Sequence, residues 1–305
     1  MANTLNPLKS LELKSVLVAT DLSEATDKAL EHGIAIARHY RATLYVVYVV
    51  SSIGFTLAGP EAVDLAAKAS ERDINSLVNA WLESGRLNGV EVRPLVLKGN
   101  VDEEMEAFAL AHRVDLIVVG SHGRQGIARL LFGSIGQLIA KCCCCPVLTV
   151  GPHASGPWLG NPADSGKPLL FATAFNTASE TALPYAIALA NDFDRQLFLL
   201  HLVPPHRTYL HNQRLLVQEV NEASVIAHLN SLIPPGTVFR RTATFLAESC
   251  VPSEGILRVS KRIHAVTIIM GAHRESFSDV AIRHPWSIGN HVNREALCPV
   301  LTVRG

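Results

Sequence analysis

No stretch of this chain is apolar for the roughly 18 residues a membrane helix needs. The opening 15 residues, MANTLNPLKSLELKS, also lack a basic segment leading into an apolar run and a small-residue cleavage site. The expectation is a cytoplasmic protein that engages no membrane. Net charge is missing too, with 27 Lys and Arg against 27 Asp and Glu. No field of one sign therefore draws the chain towards nucleic acid or anionic lipid, and any bound anion has to be held locally. Hydrophobic residues make up 48% and charged residues 18% of the chain, a composition that predicts a globular protein, with any disorder confined to short segments.

Several chemical signatures are absent as well. No G-x-G-x-x-G opens a helix after the first apolar block, and no G-x-x-x-x-G-K-[ST] occurs, which argues against a Rossmann dehydrogenase and a P-loop ATPase. No G-x-S-x-G elbow is present. The chain holds 13 histidines, among them His201, His206, His211, His264, His273, His284 and His291. Their spacing fits no compact ligand motif such as H-E-x-x-H, so no metal site is expected from them.

What the sequence does contain is a repeat. Its 305 residues suit two domains of about 150 residues each, and four apolar blocks recur in the same order, offset by about 150 residues. Ser15-VLVATD-Leu22 answers to Pro168-LLFATA-Phe175, and Leu44-YVVYVV-Ser51 to Leu197-FLLHLV-Pro204. Asp115-LIVVGSH-Gly123 answers to Ala265-VTIIMGAH-Arg274, and Cys145-PVLTV-Gly151 to Cys298-PVLTV-Arg304. The blocks are rich in Val, Leu and Ile without clean alternation, as strands buried on both faces are. Helical spacing runs between them: Ser23 as an N-cap before Ala25, Leu30, Ile34 and Ala37, then Pro60 to Trp81, then Asp102 to His112. Residues 90–98 read as a third strand, at an edge because of Pro94.

Strands alternating with helices predict an α/β chain of two doubly wound, five-stranded parallel-sheet domains in tandem. The boundaries expected are 1–151 for the first domain, 152–167 for a Gly-, Pro- and Ser-rich linker and 168–305 for the second.

Ligands of doubly wound sheets bind beyond the carboxyl ends of the strands, where strand order reverses. In the first half the fourth strand ends in Gly120-SHGRQGIARLLFGS-Ile135. Gly120 and Gly123 let backbone N–H groups approach an anion, Ser134 after Gly133 can cap a helix facing a phosphate, and Arg124 and Arg129 supply charge. On spacing alone, a phosphate site and an ordinary tight turn fit equally well.

The pattern G-x2-G-x9-G-[ST] after a Val-rich fourth strand, with ATDLSEAT near the start and CPVLTV at the end, resembles the universal stress protein family. The first half matches along its whole length and the second resembles a diverged copy. This resemblance implies an adenine-nucleotide alpha-hydrolase-like fold with strand order 3-2-1-4-5. It implies ATP, or ADP or AMP, as ligand, with Mg or Mn able to accompany the phosphates. It places Asp21, with Ala19 and Thr20 beside it, near the ribose or metal, and Val49 against adenine through its backbone. Val119 and Gly120 close the fourth strand, and Gly120, Gly123, Arg124, Gly133, Ser134 and Ile135 meet the phosphates. The function implied is that of an ATP-binding regulatory protein of the stress response. A slow ATP hydrolase using Asp21 and a divalent metal, and a ligand-free scaffold, are the alternatives.

The second half departs from the pattern. Ala174 answers Asp21, Arg274 answers Gly123, and Trp286-Ser287 stands for Gly133-Ser134; between them lie 11 residues, 275–285, where the first half has nine, 124–132. No ATP is expected there in the family manner, and the half is expected to act as an intramolecular pseudo-dimer partner through its last strand. A homodimer of the whole chain stays open.

Four of the six cysteines stand together in Lys141-CCCCPV. The second half keeps only Cys298, opposite Cys145, so Cys142 to Cys144 replace Glu295, Ala296 and Leu297 at a helix end. Successive helical residues point about 100° apart, so one metal cannot take all four thiols. Core packing is the reading, with an oxidation-sensitive thiol among Cys142 to Cys144 left open.

Overall fold

The computed structural model describes residues 10–22, 24–51, 60–120, 145–157, 164, 166–204, 207–208, 216–217, 221–272 and 288–305. These fall into two units. One is built on residues from 12 to 157, the other on residues from 164 onward together with Ser10 and Leu11. Ser10 and Leu11 join the second unit through Asp192, whose carboxylate accepts from Ser10 Oγ at 2.5 Å and from the Leu11 N–H at 3.0 Å.

The first unit runs β1 (Ser15–Ala19), α1 (Glu24–Tyr40), β2 (Thr43–Ser51), α2 (Pro60–Glu83), β3 (Glu91–Gly99), α3 (Val101–Ala111), β4 (Leu116–Gly120) and β5 (Val147–Val150). Its sheet is parallel in the order β3-β2-β1-β4-β5. The second unit repeats it: β6 (Leu169–Thr173), α4 (Thr177–Asp192), β7 (Leu197–Val203), a two-rung antiparallel pair β8 (Arg207–Thr208) and β9 (Leu216–Val217), α5 (Glu222–Ser231), β10 (Thr244–Ser249), α6 (Pro252–Arg262), β11 (Thr267–Ala272), α7 (Ile288–Glu295) and β12 (Val300–Arg304). Here the parallel order is β10-β7-β6-β11-β12. Numbered within each unit, both orders are 3-2-1-4-5, as expected for two doubly wound α/β domains. Pro94 lies on β3, an edge strand of the first unit as its missing N–H requires, opposite Val46.

The apolar blocks form strands because both faces are covered. Val16, Leu17 and Val18 of β1 and Ile117 and Val118 of β4 are fully buried, as are Leu169, Leu170 and Phe171 of β6. Each such side chain removed from water contributes about 2 kcal/mol. Right-handed crossovers carry α1 and α2 to one face of the first sheet and α3 to the other. On the α3 face, Leu17, Tyr45, Val47, Ile117 and Val119 pack with Met105 and Phe108. On the opposite face α1 comes close at Gly33, where a Cβ would press into the Val18 side chain.

Four helices stop by one device. Beyond α1, α3, α4 and α6 a residue other than glycine takes positive φ: Arg41 (56°), Arg113 (50°), Asp194 (48°) and His264 (53°). In each case the next N–H reaches back five residues: Ala42 to the Ala37 carbonyl, Val114 to Ala109, Arg195 to Ala190 and Ala265 to Ser260. This bond satisfies a carbonyl that the helix end would otherwise leave open. The chain is thereby aimed directly into the following strand.

Candidate functional site

In the first unit β1 lies between β2 and β4, with Ala19 opposite Val47 on one side and Val119 on the other. The crossovers diverge at this point, so the carboxyl ends of these strands flank a crevice. Beyond β1 the Thr20 N–H still bonds the Val47 carbonyl at 2.9 Å. The chain then turns sharply: the Leu22 N–H donates to Thr20 Oγ1 at 3.0 Å and Leu22 takes φ 60°. Buried Thr20 thus closes the turn, and half-buried Asp21 is its middle residue.

Ala19, Val49 and Val119 share the α3 face of the sheet. Val119 is buried, while Ala19 and Val49 are partly open at the strand ends and pack against the same core. Gly120 ends β4 opposite Val150. The structure therefore brings Ala19, Thr20, Asp21, Val49, Val119 and Gly120 to one end of one sheet, with an apolar floor and an acidic side chain at its rim. Gly123, Arg124, Gly133, Ser134 and Ile135 lie outside the described residues, as do Ser23, Arg129 and Cys142 to Cys144.

The second unit repeats the turn with different side chains. The Phe175 N–H donates to Thr173 Oγ1 at 3.1 Å and Phe175 takes φ 55°, so Phe175 occupies the backbone position of Leu22. Ala174 replaces Asp21, and its N–H is taken by Ser179 Oγ at 3.0 Å. Asn176 caps α4, its Oδ1 accepting from the Ser179 N–H and Oγ, each at 2.9 Å. Part of the donor set at this helix start is therefore consumed internally. Among the described residues, no three His, Cys, Asp or Glu side chains come together to hold a metal.

Two features of the structure escaped the sequence reading. Lys28 and His32, one turn apart on α1, hold the chain beyond β5: Lys28 Nζ donates to the Pro152 and Ala154 carbonyls at 3.2 and 3.1 Å, and His32 Nε2 meets the Ser155 carbonyl at 3.2 Å. The first residues of the stretch read as a linker are thus fixed to the first unit. Burial lowers the His32 pKa from 6.5 to about 4, against the opposing effect of the Ser155 bond and with help from the nearby Lys28 charge. The second feature is a cluster of rings, Phe175 with His201 and His228. The i, i+4 spacing of Lys28 and His32 was a usable signal for the first; His228 lies too far along the chain for its partnership with Phe175 to be read.

Comparison with known proteins gives one answer. The sequence profile of the universal stress protein family matches residues 12–151 and again 166–304. Universal stress protein MJ0531 of Methanocaldococcus jannaschii is 30% identical over 138 residues, 45% of this chain and 81% of its own length. Universal stress protein YxiE of Bacillus subtilis is 28% identical over 144 residues, 44% of this chain and 97% of its own. Among solved structures, a universal stress protein from Archaeoglobus fulgidus covers 95% of this chain and 96% of its own, with a TM-score of 0.71 at 18% identity, a likeness of fold. With the profile matched twice and the same strand order in both units, the chain belongs to the universal stress protein family and carries two of its domains in tandem.

Proposed function

We propose that the first unit binds an adenine nucleotide, ATP foremost, and that the protein acts in the stress response by binding rather than turnover. The observation that carries this is the convergence of Ala19, Val49 and Asp21 at the strand-order switch. A half-open apolar floor suits a purine, and a carboxylate at the rim suits a ribose hydroxyl or a phosphate-bound divalent cation such as Mg or Mn. Gly120 at the end of β4 adds a backbone approach without a side chain. Gly123, Arg124, Gly133, Ser134 and Ile135 complete the phosphate side of this proposal. The second unit, with Ala174 in place of the acid, serves as a partner domain.

Mass spectrometry of whatever small molecule leaves the gently purified and then denatured protein tests this reading directly. An adenine nucleotide present in about one copy per chain is expected, together with a rise in melting temperature on adding ATP that Asp21→Ala diminishes. Finding no nucleotide and no shift would favour a ligand-free scaffold. Steady phosphate release that disappears in Asp21→Ala would favour a hydrolase.

A further inference from the structure

We propose that Leu97 and Val101 form the outer wall of the base subsite in the first unit and set its preference for a purine over a pyrimidine. This inference rests on the nucleotide reading of that unit and adds two residues that neither the strand-end pattern nor the glycine motif singles out.

On the α3 face of the first sheet, burial falls off towards the carboxyl ends of the strands. Leu17 of β1 and Val47 of β2 are fully buried, whereas Ala19 and Val49, two residues further along, are half-buried. β3 continues the series. Leu97 stands opposite Val49 in the parallel register, is half-buried and packs against the same core. Val101, the first residue of α3 and two positions beyond the end of β3, rests half-buried on that core as well. Four apolar side chains, from three neighbouring strands and one helix start, thus line one half-open strip.

The width of the strip favours a fused ring system. Neighbouring strands lie about 4.8 Å apart, so the strip from β1 to β3 spans about 10 Å. A single ring resting on Ala19 and Val49 covers one such spacing. A two-ring base reaches the second, and its far ring meets Leu97 and Val101. Neither side chain carries a donor or an acceptor, so the wall rewards apolar ring area rather than a hydrogen-bonding pattern.

The second unit has the same backbone without the open strip. Ala172 and Leu202, at the positions of Ala19 and Val49, are only 8% and 7% exposed. Glu248 stands opposite Leu202 in the place of Leu97, and its carboxylate accepts from Arg258 and Arg262 of α6 at 2.6 and 2.5 Å. An ion-paired acid offers a base no apolar wall. Pro252 begins α6 where Val101 begins α3. The strip therefore belongs to the first unit's side chains and not to the shared fold.

The test is equilibrium binding of ATP and of CTP to the full chain, since ribose and phosphates are common to the two. ATP should bind about tenfold more tightly, the difference being the apolar area of the second ring. Leu97→Ala and Val101→Ala should each weaken ATP by about fivefold and CTP by less than about twofold, so that the ratio shrinks. Asp21→Ala should weaken both nucleotides alike and leave the ratio intact. Melting curves without ligand identify any variant that has lost its fold, and Val101→Thr, which keeps the side-chain shape while losing apolar area, then supplies the same comparison. Equal binding of ATP and CTP by the unaltered chain, or a ratio unmoved in the folded variants, would overturn the wall and leave the nucleotide reading standing. A chain that binds neither nucleotide would overturn both.

Discussion

The His32 imidazole meets the Ser155 carbonyl at 3.2 Å with 1% of the residue exposed, joining α1 to the chain beyond β5. Its pKa falls to about 4 in the folded state against about 6.5 unfolded. Above pH 6.5 both states carry a neutral ring and the full stability is present. As pH falls towards 4 the unfolded state takes up the proton first, and on the order of 3 kcal/mol is lost. Denaturant unfolding of the first unit from pH 7.5 to 4 should show this slope, and His32→Gln, which keeps a donor towards Ser155, should flatten it. An unchanged slope in that variant would assign the effect elsewhere.

Gly271 on β11 faces the start of α4. A Cβ there would lie 2.6 Å from the Ser179 nitrogen and closer still to the Ala178 carbonyl group, both backbone atoms that no rotamer change can move aside. Gly271→Ala should therefore cost about 3 kcal/mol, at the upper end for overpacking. Its denaturation midpoint should drop accordingly; a loss under about 1 kcal/mol would mean that α4 shifts freely.

The left-handed residues after α1, α3, α4 and α6 hold side chains where glycine is favoured. Arg113→Gly and His264→Gly should each raise stability by about 0.5 kcal/mol, relief of steric strain exceeding the added freedom of the unfolded chain. Thermal melts would register this as a rise of a degree or two. A fall would show that the arginine and imidazole stems contribute more by packing than the backbone loses.

Cys298 is buried, and burial pushes its thiol up to about 12, only partly offset by the Ile268 backbone bond. At pH 8 about one molecule in ten thousand carries the thiolate that alkylating reagents need. Labelling of Cys298 should follow global unfolding, whereas half-buried Cys250 reacts from the native state. Equal rates at the two residues, read by peptide mass spectrometry, would contradict this.

The strands were legible because burial on both faces writes itself as uninterrupted Val, Leu and Ile, and the repeat supplied their order twice. The helix stops were not: Arg41, Arg113, Asp194 and His264 carry no glycine signal, since the five-residue backbone bond, not the side chain, ends each helix. Of the candidate site, Ala19 to Asp21, Val49 and Gly120 were readable as strand ends plus a family pattern. The strap of Lys28 and His32 onto residues 152–155 was hidden by a composition typical of free linkers. The Phe175 stack was hidden because its third ring comes from a helix about 50 residues away.

The turn shared by Thr20–Leu22 and Thr173–Phe175 makes the molecule its own control experiment. A solvent change or temperature step that acts through the backbone must register in both copies of that turn. A ligand that recognises side chains has to register in one and spare the other. Each titration of this protein thus carries an internal blank, at identical concentration and in the same tube, against which a specific signal can be separated from a general one.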